Sequence, residues 1–360
     1  MNLHLSSFIK ELPWDVFVVF HGNSEILRNG DVHFPFRQDS DFLYLTGMSS
    51  PDIILTIYWS ELIFWREPIS EKDTLWWHSK YSDENIIITS GISDIRDRKE
   101  FEEYYKNHLL SLLEESEWRK IVYSLRLIKN PEEIEKIRKA IRVSHEAFEY
   151  IEKNIKAWMY EYEIEAEIAR IFRAHHLTEA YPTIVASGPN SCILHYTQHT
   201  RQINDGDLVL IDAGCEYMGY ASDTTRTFFV GDTMPDRINQ VYDSVLLIKK
   251  IAENTLKPGI SFLEYENTVR SAMNIELQKL WLIPANSTEE EIILLSKKYY
   301  PHRTSHFLGL DVHDVGSREA IFVPGMVLTI EPGIYIREEN IGIRIEDDYL
   351  ITDSGCEKLN

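Results

Sequence analysis

The sequence is poor in cysteine. Its 360 residues include only Cys192, Cys215 and Cys356. An odd number of cysteines at wide spacing excludes both a disulfide framework and a zinc cluster built on cysteine pairs. Proteins that lack structural disulfides are typical of reducing compartments. We therefore expect buried, reduced thiols in a cytoplasmic protein.

Basic residues and long apolar runs are also scarce. The chain has 37 Lys and Arg against 58 Asp and Glu, which gives a net charge of −21. Without a basic surface, nucleic acid and anionic membranes are excluded as partners. No apolar run approaches the roughly 20 residues of a membrane span. The first such run, residues 16–20, is too short for the core of a secretory leader and predicts a strand.

What remains is an ordinary globular composition, 44% hydrophobic, with enough length for two domains. Residues 1–125 interleave strands with helical stretches, which indicates an α/β domain. Strands are predicted at 16–20, 53–59, 61–65 and 86–89, and a helix at 100–113. A long helix begins at Asn130-Pro131, because Asn caps helices and Pro suits the first helical position. We therefore place the domain boundary near residue 125, with a second domain over 126–360.

The second domain begins with helices and ends with strands. Further helices are predicted at 161–175, 236–256 and 262–280, with a short one from Ser287. The stretch 161–167 also fits the alternation of a strand. Strands are predicted at 208–211, 227–230, 327–330, 333–336, 342–347 and 349–352. This order of elements indicates an α+β domain.

Four acidic residues adjoin apolar runs of the second domain. Asp212 and Glu331 each follow a predicted strand, Asp223 precedes one, and Glu346 lies inside one. Taken singly, each fits a sheet-edge acid or a turn-forming residue. A buried carboxylate requires a charged partner or a metal ion. Four of them in one domain favour a shared site.

Histidines are concentrated in one short segment of the second domain. His302, His306 and His313 lie within twelve residues. Taken singly, each fits a surface imidazole or a hydrogen-bonded core imidazole. No cysteine pair accompanies them, so a zinc finger is excluded. His195 stands alone in the sequence, and its apolar neighbours suit a core histidine.

These residues fall in five motifs: Leu210-Ile-Asp212, Ser222-Asp223-Thr-Thr-Arg, His306-Phe-Leu-Gly-Leu-Asp-Val-His313, Leu328-Thr-Ile-Glu331-Pro-Gly-Ile-Tyr335 and Gly342-Ile-Arg344-Ile-Glu346. The motifs resemble those of the proline-specific branch of the pita-bread metallopeptidases of family M24, the Xaa-Pro aminopeptidases (aminopeptidase P). In the first domain, residues 36–47 resemble the amino-terminal domain of the same enzymes. The resemblance covers nearly the whole chain. It implies an α+β fold, with a pita-bread catalytic domain preceded by a smaller α/β domain.

The resemblance also implies roles for individual residues. Those that match the ligands of two metal ions are Asp212, Asp223, His306, Glu331 and Glu346. Those that match substrate-contacting and proton-handling histidines are His195, His302 and His313. Tyr335 and Arg344 match residues that surround the metal ligands without binding the metal ions. Glu331 is the implied proton acceptor.

The charges agree with two bound ions. Four clustered carboxylates carry a charge of −4, which two divalent ions offset. A donor set rich in oxygen with one imidazole favours Mn²⁺ over a structural zinc. The family resemblance implies Mn²⁺ as well, and Co²⁺ and Zn²⁺ are the alternatives.

The implied activity is hydrolysis of the bond between an N-terminal residue and a following proline. The main alternative is an Xaa-Pro dipeptidase on the same site. A methionine aminopeptidase fits less well because it lacks a comparable amino-terminal domain, and an inactive peptide-binding module would have lost ligands. The expected partners are peptides with proline at the second position and further copies of this chain, in a dimer or tetramer.

The sequence departs from the family pattern at two places. Arg303 follows His302 where the family has Gly, and the segment Trp76-Trp77-His78-Ser79 replaces a Trp-x-Gly-Arg pattern. The second departure bears on contacts between domains or subunits.

Overall fold

The computed structural model describes residues 2–70 and 82–360. The chain divides into two compact units, one that ends at Arg126 and one that runs from Leu127 to Asn360. The altered segment 76–79 lies outside the described residues. Among the described residues, every helix is too short or too polar to cross a membrane.

The first unit is built on a sheet with strand order β1-β4-β5-β6. Its strands are β1 (Phe17–His21), β2 (Leu27–Asn29), β3 (Val32–His33), β4 (Ile54–Tyr58), β5 (Glu61–Arg66) and β6 (Asp94–Asp97). Its helices are α1 (Leu3–Glu11), α2 (Ser40–Thr46), α3 (Asp83–Ser90), α4 (Phe101–His108) and α5 (Glu115–Leu127), which crosses the boundary. The strands predicted at 16–20, 53–59 and 61–65 are confirmed. β5 and β6 pair in parallel, whereas the other pairs of this sheet are antiparallel.

The predicted strand at 86–89 is wrong, because these residues lie in α3. A run of isoleucines favours a strand, but strong caps fix a helix here. The side chain of Ser82 accepts a hydrogen bond from the backbone N–H of Asn85, and Gly91 ends the helix at a φ of 75°. Ile86 is buried while Ile88 is 73% exposed, so α3 buries only part of its apolar surface.

The second unit opens with the helix that the Asn130-Pro131 pair predicts. Its helices are α6 (Pro131–Asn154), α7 (Glu161–Ala174), α8 (Asp236–Thr255), α9 (Phe262–Lys279) and α10 (Glu289–Tyr299). The side chain of Asn130 accepts hydrogen bonds from two backbone amides of the first turn, and the carboxylate of Glu133 accepts one from the backbone N–H of Asn130. The strand interpretation of 161–167 is wrong, since this stretch opens α7.

Short antiparallel strands form the rest of this unit. They are β7 (Thr178–Glu179), β8 (Ile184–Ser187), β9 (Asp207–Asp212), β10 (Cys215–Tyr217), β11 (Tyr220–Ala221), β12 (Thr225–Val230), β13 (Val327–Ile330), β14 (Gly333–Ile336), β15 (Ile341–Arg344), β16 (Asp347–Ile351) and β17 (Cys356–Lys358). The sheets have strand orders β12-β9-β8, β13-β16-β17, β14-β15 and β11-β10-β7.

The predicted single strand at 342–347 is two strands. β15 pairs with β14 and ends at Arg344, whereas β16 pairs with β13 and begins at Asp347. Between them, the backbone N–H of Glu346 donates to the carbonyl of Thr225. Glu346 therefore lies where the chain passes from one sheet to the next, and not inside a strand.

The β9–β12 pair positions the first two acidic residues. Asp212, the last residue of β9, lies opposite Thr225, the first residue of β12. Val209 and Ile211 pack into a cluster with residues of α6 and α7, while Leu210 packs into a separate cluster with Tyr335. Because alternate residues of a strand face opposite sides, Asp212 shares the side of Leu210 and faces away from the helices.

Candidate active site

The residues of the predicted site line one cavity of about 780 Å³. All five predicted ligands line it: Asp212, Asp223, His306, Glu331 and Glu346. The three other predicted histidines and Arg344 line it as well. Residues separated by more than 130 positions in the sequence therefore meet in one place.

The tightest part of this group is formed by Asp223, His306 and Glu346. One potential ligand atom from each lies within 4.8 Å of the others. The Nε2 atom of His306 is 3.4 Å from Oδ2 of Asp223 and 3.8 Å from Oε1 of Glu331. An imidazole and three carboxylates thus converge at distances that one or two cations can bridge.

Arg344 supports the acidic groups through hydrogen bonds. It is 4% exposed, and its Nη2 donates to Oδ2 of Asp212 at 2.6 Å. Its Nη1 donates to the hydroxyl of Tyr335 at 2.8 Å, and its Nε to Oγ1 of Thr225 at 3.1 Å. The Thr225 hydroxyl in turn donates to Glu346 at 2.6 Å. Arg344 therefore fixes two of the candidate ligands, one directly and one through Thr225.

Tyr181 and Asp348 also belong to this arrangement, although the sequence analysis does not select them. The Tyr181 hydroxyl lies 2.7 Å from Oδ1 of Asp212 and 2.5 Å from Oδ1 of Asp223. Asp348, 2% exposed, accepts the backbone N–H of Asp223 through Oδ2, while its Oδ1 has no partner among the residues that the structure describes. Neither residue carries a motif of its own, and each is recognised only through its contacts.

Burial raises the pKa of several carboxyl groups in the cavity. For Glu346, burial is the main cause, and the neighbouring acids Asp223 and Glu331 raise its pKa further. Burial raises the pKa of Glu331 to about 7 and also raises that of Asp212. Crowded carboxylates in a low-dielectric site need positive charge to stay ionised. Arg344 supplies one such charge, so the donor set fits divalent cations.

The histidines differ in their surroundings. His302 is neutral, because burial lowers its pKa to about 3. Its Nδ1 contacts the carbonyl of Arg303 at 2.7 Å, and its Nε2 contacts the hydroxyl of Tyr335 at 2.8 Å. A carbonyl can only accept, so Nδ1 carries the hydrogen and Nε2 accepts from Tyr335. Both ring nitrogens of His302 thus already form hydrogen bonds with other groups of the protein.

His195 and His313 are exposed on the cavity lining. The interpretation of His195 as a core histidine is therefore wrong. The ring centroid of His313 lies 4.4 Å from that of His306, so His313 faces the candidate ligands. His195 forms no hydrogen bond within the described part of the chain, which leaves both of its ring nitrogens free to contact a ligand of the cavity.

Helix α9 holds the segment that carries His302 and His306, which has no regular secondary structure. We name residues 302–306 the histidine segment. Glu266, 8% exposed, accepts the backbone N–H groups of Thr304 at 3.0 Å and Ser305 at 3.1 Å through Oε1. One turn further along α9, Arg270 donates to the carbonyl of His302 at 2.8 Å. On its other edge, the carbonyls of Thr304 and His306 accept the backbone N–H groups of Glu331 and Thr329, so the segment is held between α9 and β13.

Two family models match the chain. "Metallopeptidase family M24" matches residues 135–353, and "Aminopeptidase P, N-terminal domain" matches residues 4–115. The chain is 34% identical to the Xaa-Pro aminopeptidase of Escherichia coli over 93% of this chain and 88% of that relative. It is also 34% identical to the Xaa-Pro aminopeptidase of Haemophilus influenzae, over 94% of this chain and 90% of that protein.

Solved structures agree with these matches. Proline aminopeptidase P II from Yersinia pestis superposes with a TM-score of 0.90 at 32% identity, covering 99% of this chain and 94% of that structure. Aminopeptidase P from E. coli gives the same TM-score at 31% identity, covering 99% of this chain and 93% of that structure. The predicted fold class, an α+β pita-bread domain after a smaller α/β domain, is confirmed. The chain belongs to metallopeptidase family M24 and carries the amino-terminal domain of the aminopeptidase P branch.

Proposed function

We propose that this protein is a metal-dependent aminopeptidase that hydrolyses the bond between an N-terminal residue and a following proline. The observation that carries the proposal is the convergence of the five candidate ligands with His195, His302 and His313 in one cavity. The matched Xaa-Pro aminopeptidases extend over nearly the whole chain, and this likeness favours an aminopeptidase over a dipeptidase.

In this proposal, Asp212, Asp223, His306, Glu331 and Glu346 hold two divalent ions. Such ions, when bound, supply Lewis acidity for a carbonyl oxygen and lower the pKa of a water molecule. Mn²⁺ is the proposed ion because the donor set consists of carboxylates and a single imidazole.

The surrounding residues position the substrate and move protons. Glu331 is the proposed proton acceptor, since its carboxylate faces the cavity 3.7 Å from Nδ1 of His302 and 3.8 Å from Nε2 of His306. The ring nitrogens of His195 form no hydrogen bond within the described residues. In this proposal, the ring donates a hydrogen bond to the oxygen of the scissile carbonyl. His302 is held by Tyr335 and orients that hydroxyl. His313 contacts the substrate from the exposed side of the cavity.

A peptide panel tests the proposal. We expect the chelated, Mn²⁺-reconstituted enzyme to cleave Ala-Pro-Ala, and to leave Ala-Ala-Ala and the dipeptide Ala-Pro intact. Chelation alone should abolish cleavage, and elemental analysis should find two ions per chain. Rapid cleavage of Ala-Pro would favour the dipeptidase alternative, and a content of at most one Mn²⁺ per chain would contradict the two-ion site.

The contact of Glu266 with the histidine segment gives a further prediction. Glu266→Ala removes the acceptor for two buried N–H groups, and we expect kcat to fall about 10–100-fold, the usual effect of losing an outer partner of a metal site. Glu266→Gln retains an acceptor oxygen and should keep kcat within a few-fold of the parent. The measurement is kcat per folded molecule, with metal content determined in parallel. Equal losses in both variants would show that the carboxylate does not act through this contact.

We further propose that the chain forms a homo-oligomer, a dimer or tetramer, in the cytoplasm. Trp14 is 85% exposed and Trp59 is 57% exposed, with ring centroids 5.1 Å apart, and an exposed aromatic pair is typical of an interface. The free thiols of Cys192, Cys215 and Cys356 fit a reducing compartment. Light scattering should give a multiple of 42.2 kDa, and the mass of a single chain at micromolar concentration would reject the oligomer.

A further inference from the structure

A second cavity of about 500 Å³ adjoins the catalytic cavity within the same unit. It lies between α9, α10 and the beginning of the histidine segment. Phe262, Arg303 and Arg318 line both cavities. The two cavities are therefore neighbours with a common wall, and two of the three residues on this wall are cationic.

The lining of the second cavity is cationic, although the whole chain carries a net charge of −21. Its cationic side chains are Arg270, Lys297, Arg303 and Arg318. Glu266 is the one carboxylate among the described residues of the lining, and its charge, which faces Arg270 and Arg303, offsets one of these four positive charges. The cavity thus concentrates positive charge that its own lining does not neutralise.

Polar groups in this cavity also have unused hydrogen-bonding capacity. Within the described residues, Lys297, Arg303 and Arg318 form no ion pair. Ser296 is 2% exposed and lines the cavity, yet its Oγ has no hydrogen-bond partner in residues 2–70 and 82–360. A buried hydroxyl without a partner costs free energy unless a ligand or water completes it. Together with the unpaired cations, it provides donors for an anionic group.

The expected direction of the substrate connects this cavity to catalysis. In the proposed reaction only one residue precedes the scissile bond, so every further residue of a longer peptide lies on the proline side. An extended peptide advances about 3.3–3.6 Å per residue. The residues after proline therefore extend away from the scissile bond, and the second cavity adjoins the catalytic cavity at the shared wall of Arg303 and Arg318.

We propose that the second cavity binds carboxylates of the downstream part of the peptide substrate, and that Arg303 and Lys297 select peptides that carry them. The carboxylate is either an acidic side chain or the C-terminus of a short peptide. This inference rests on the proposed function and adds a substrate preference to it. Arg303 stands where the family pattern has Gly, so the preference is a property of this chain.

Three matched peptides test the proposal: Ala-Pro-Ala-Glu-Glu amide, Ala-Pro-Ala-Gln-Gln amide, and Ala-Pro-Ala-Gln-Gln with a free C-terminus. We expect kcat/KM of the reconstituted enzyme to be about five- to tenfold higher for at least one carboxylate-bearing peptide than for the neutral amide, as charge-assisted hydrogen bonds require. The carboxylate-bearing peptide that has the higher kcat/KM identifies the source of the carboxylate. Added salt should reduce the difference.

The variants Arg303→Gln and Lys297→Gln should each lower this ratio of kcat/KM values by threefold or more. Lys257→Gln, which removes an exposed lysine outside both cavities, is the matched control and should keep the parental ratio. Equal kcat/KM values for all three peptides, or equal losses on charged and neutral peptides, would overturn the inference.

Binding of product-side peptides separates this inference from the proposed function. Calorimetry with Pro-Ala-Glu-Glu amide and Pro-Ala-Gln-Gln amide needs no turnover. Tighter binding of the acidic peptide that is lost in Arg303→Gln supports the cavity even if no peptide is cleaved. Equal affinities for the two product-side peptides in a cleaving enzyme would reject the cavity and leave the proposed function intact.

Discussion

Replacing Asp223 by Asn is expected to lower kcat/KM on Ala-Pro-Ala by about 10³-fold or more. A potential ligand atom of Asp223 lies within 4.8 Å of one from His306 and one from Glu346, and Asp223 is one of the two acids that the Tyr181 hydroxyl approaches. The substitution preserves shape but removes a charged donor from the centre of the site. Metal ions contribute several kcal/mol to such reactions, and each ~1.4 kcal/mol changes the rate tenfold.

The control for this variant is Asp232→Asn, which removes an exposed carboxylate from the turn after β12. We expect Asp232→Asn to retain parental activity and metal content. Asp223→Asn should bind less Mn²⁺ per chain by elemental analysis and still fold, as measured by circular dichroism. Activity of Asp223→Asn within tenfold of the parent would remove Asp223 from the set of ligands.

Replacing His195 by Ala is expected to lower kcat by about 10²–10³-fold, the usual effect of losing one donor to a developing oxyanion. His195 is exposed on the cavity lining and forms no hydrogen bond within the described residues. Its loss should therefore leave the melting temperature and the Mn²⁺ content nearly unchanged. The measurements are kcat on Ala-Pro-Ala, the melting temperature and the metal content.

Gln198→Ala, an exposed position in the same loop outside the cavity lining, serves as the control for His195→Ala and should behave like the parent. A lower melting temperature of His195→Ala with undiminished kcat per folded molecule would show that the side chain acts on stability alone.

The candidate ligands could be found in the sequence because the four acids adjoin short apolar runs, His306 lies in a cluster of histidines, and all five fall in recognisable motifs. Asp212 at the end of β9 and Glu331 after β13 are of this kind. The strand ends near Glu346 could not be found, because Ile341, Ile343 and Ile345 continue one alternating pattern past the end of β15. α3 was missed because its caps, Ser82 and Gly91, outweigh the strand preference of its isoleucines.

The supporting residues of the site were less accessible to sequence reasoning. Tyr181 acts on two acids that lie 31 and 42 positions away, and Glu266 acts on amides 38 and 39 positions away. Such contacts produce no regular spacing of residues in the sequence from which they could be predicted. They depend on tertiary packing, which sets the neighbours of a side chain without changing its surroundings in the sequence.

The order of the candidate ligands along the chain has a consequence for folding. Asp212 ends β9 and Asp223 lies two residues before β12, so the local β9–β12 pair brings them close, whereas Glu346 meets this pair through Thr225, 121 positions earlier in the chain. Closing so long a loop is slow compared with forming a hairpin. We therefore expect the complete set of candidate ligands to form late, so that divalent ions would stabilise the finished catalytic unit by mass action instead of nucleating it.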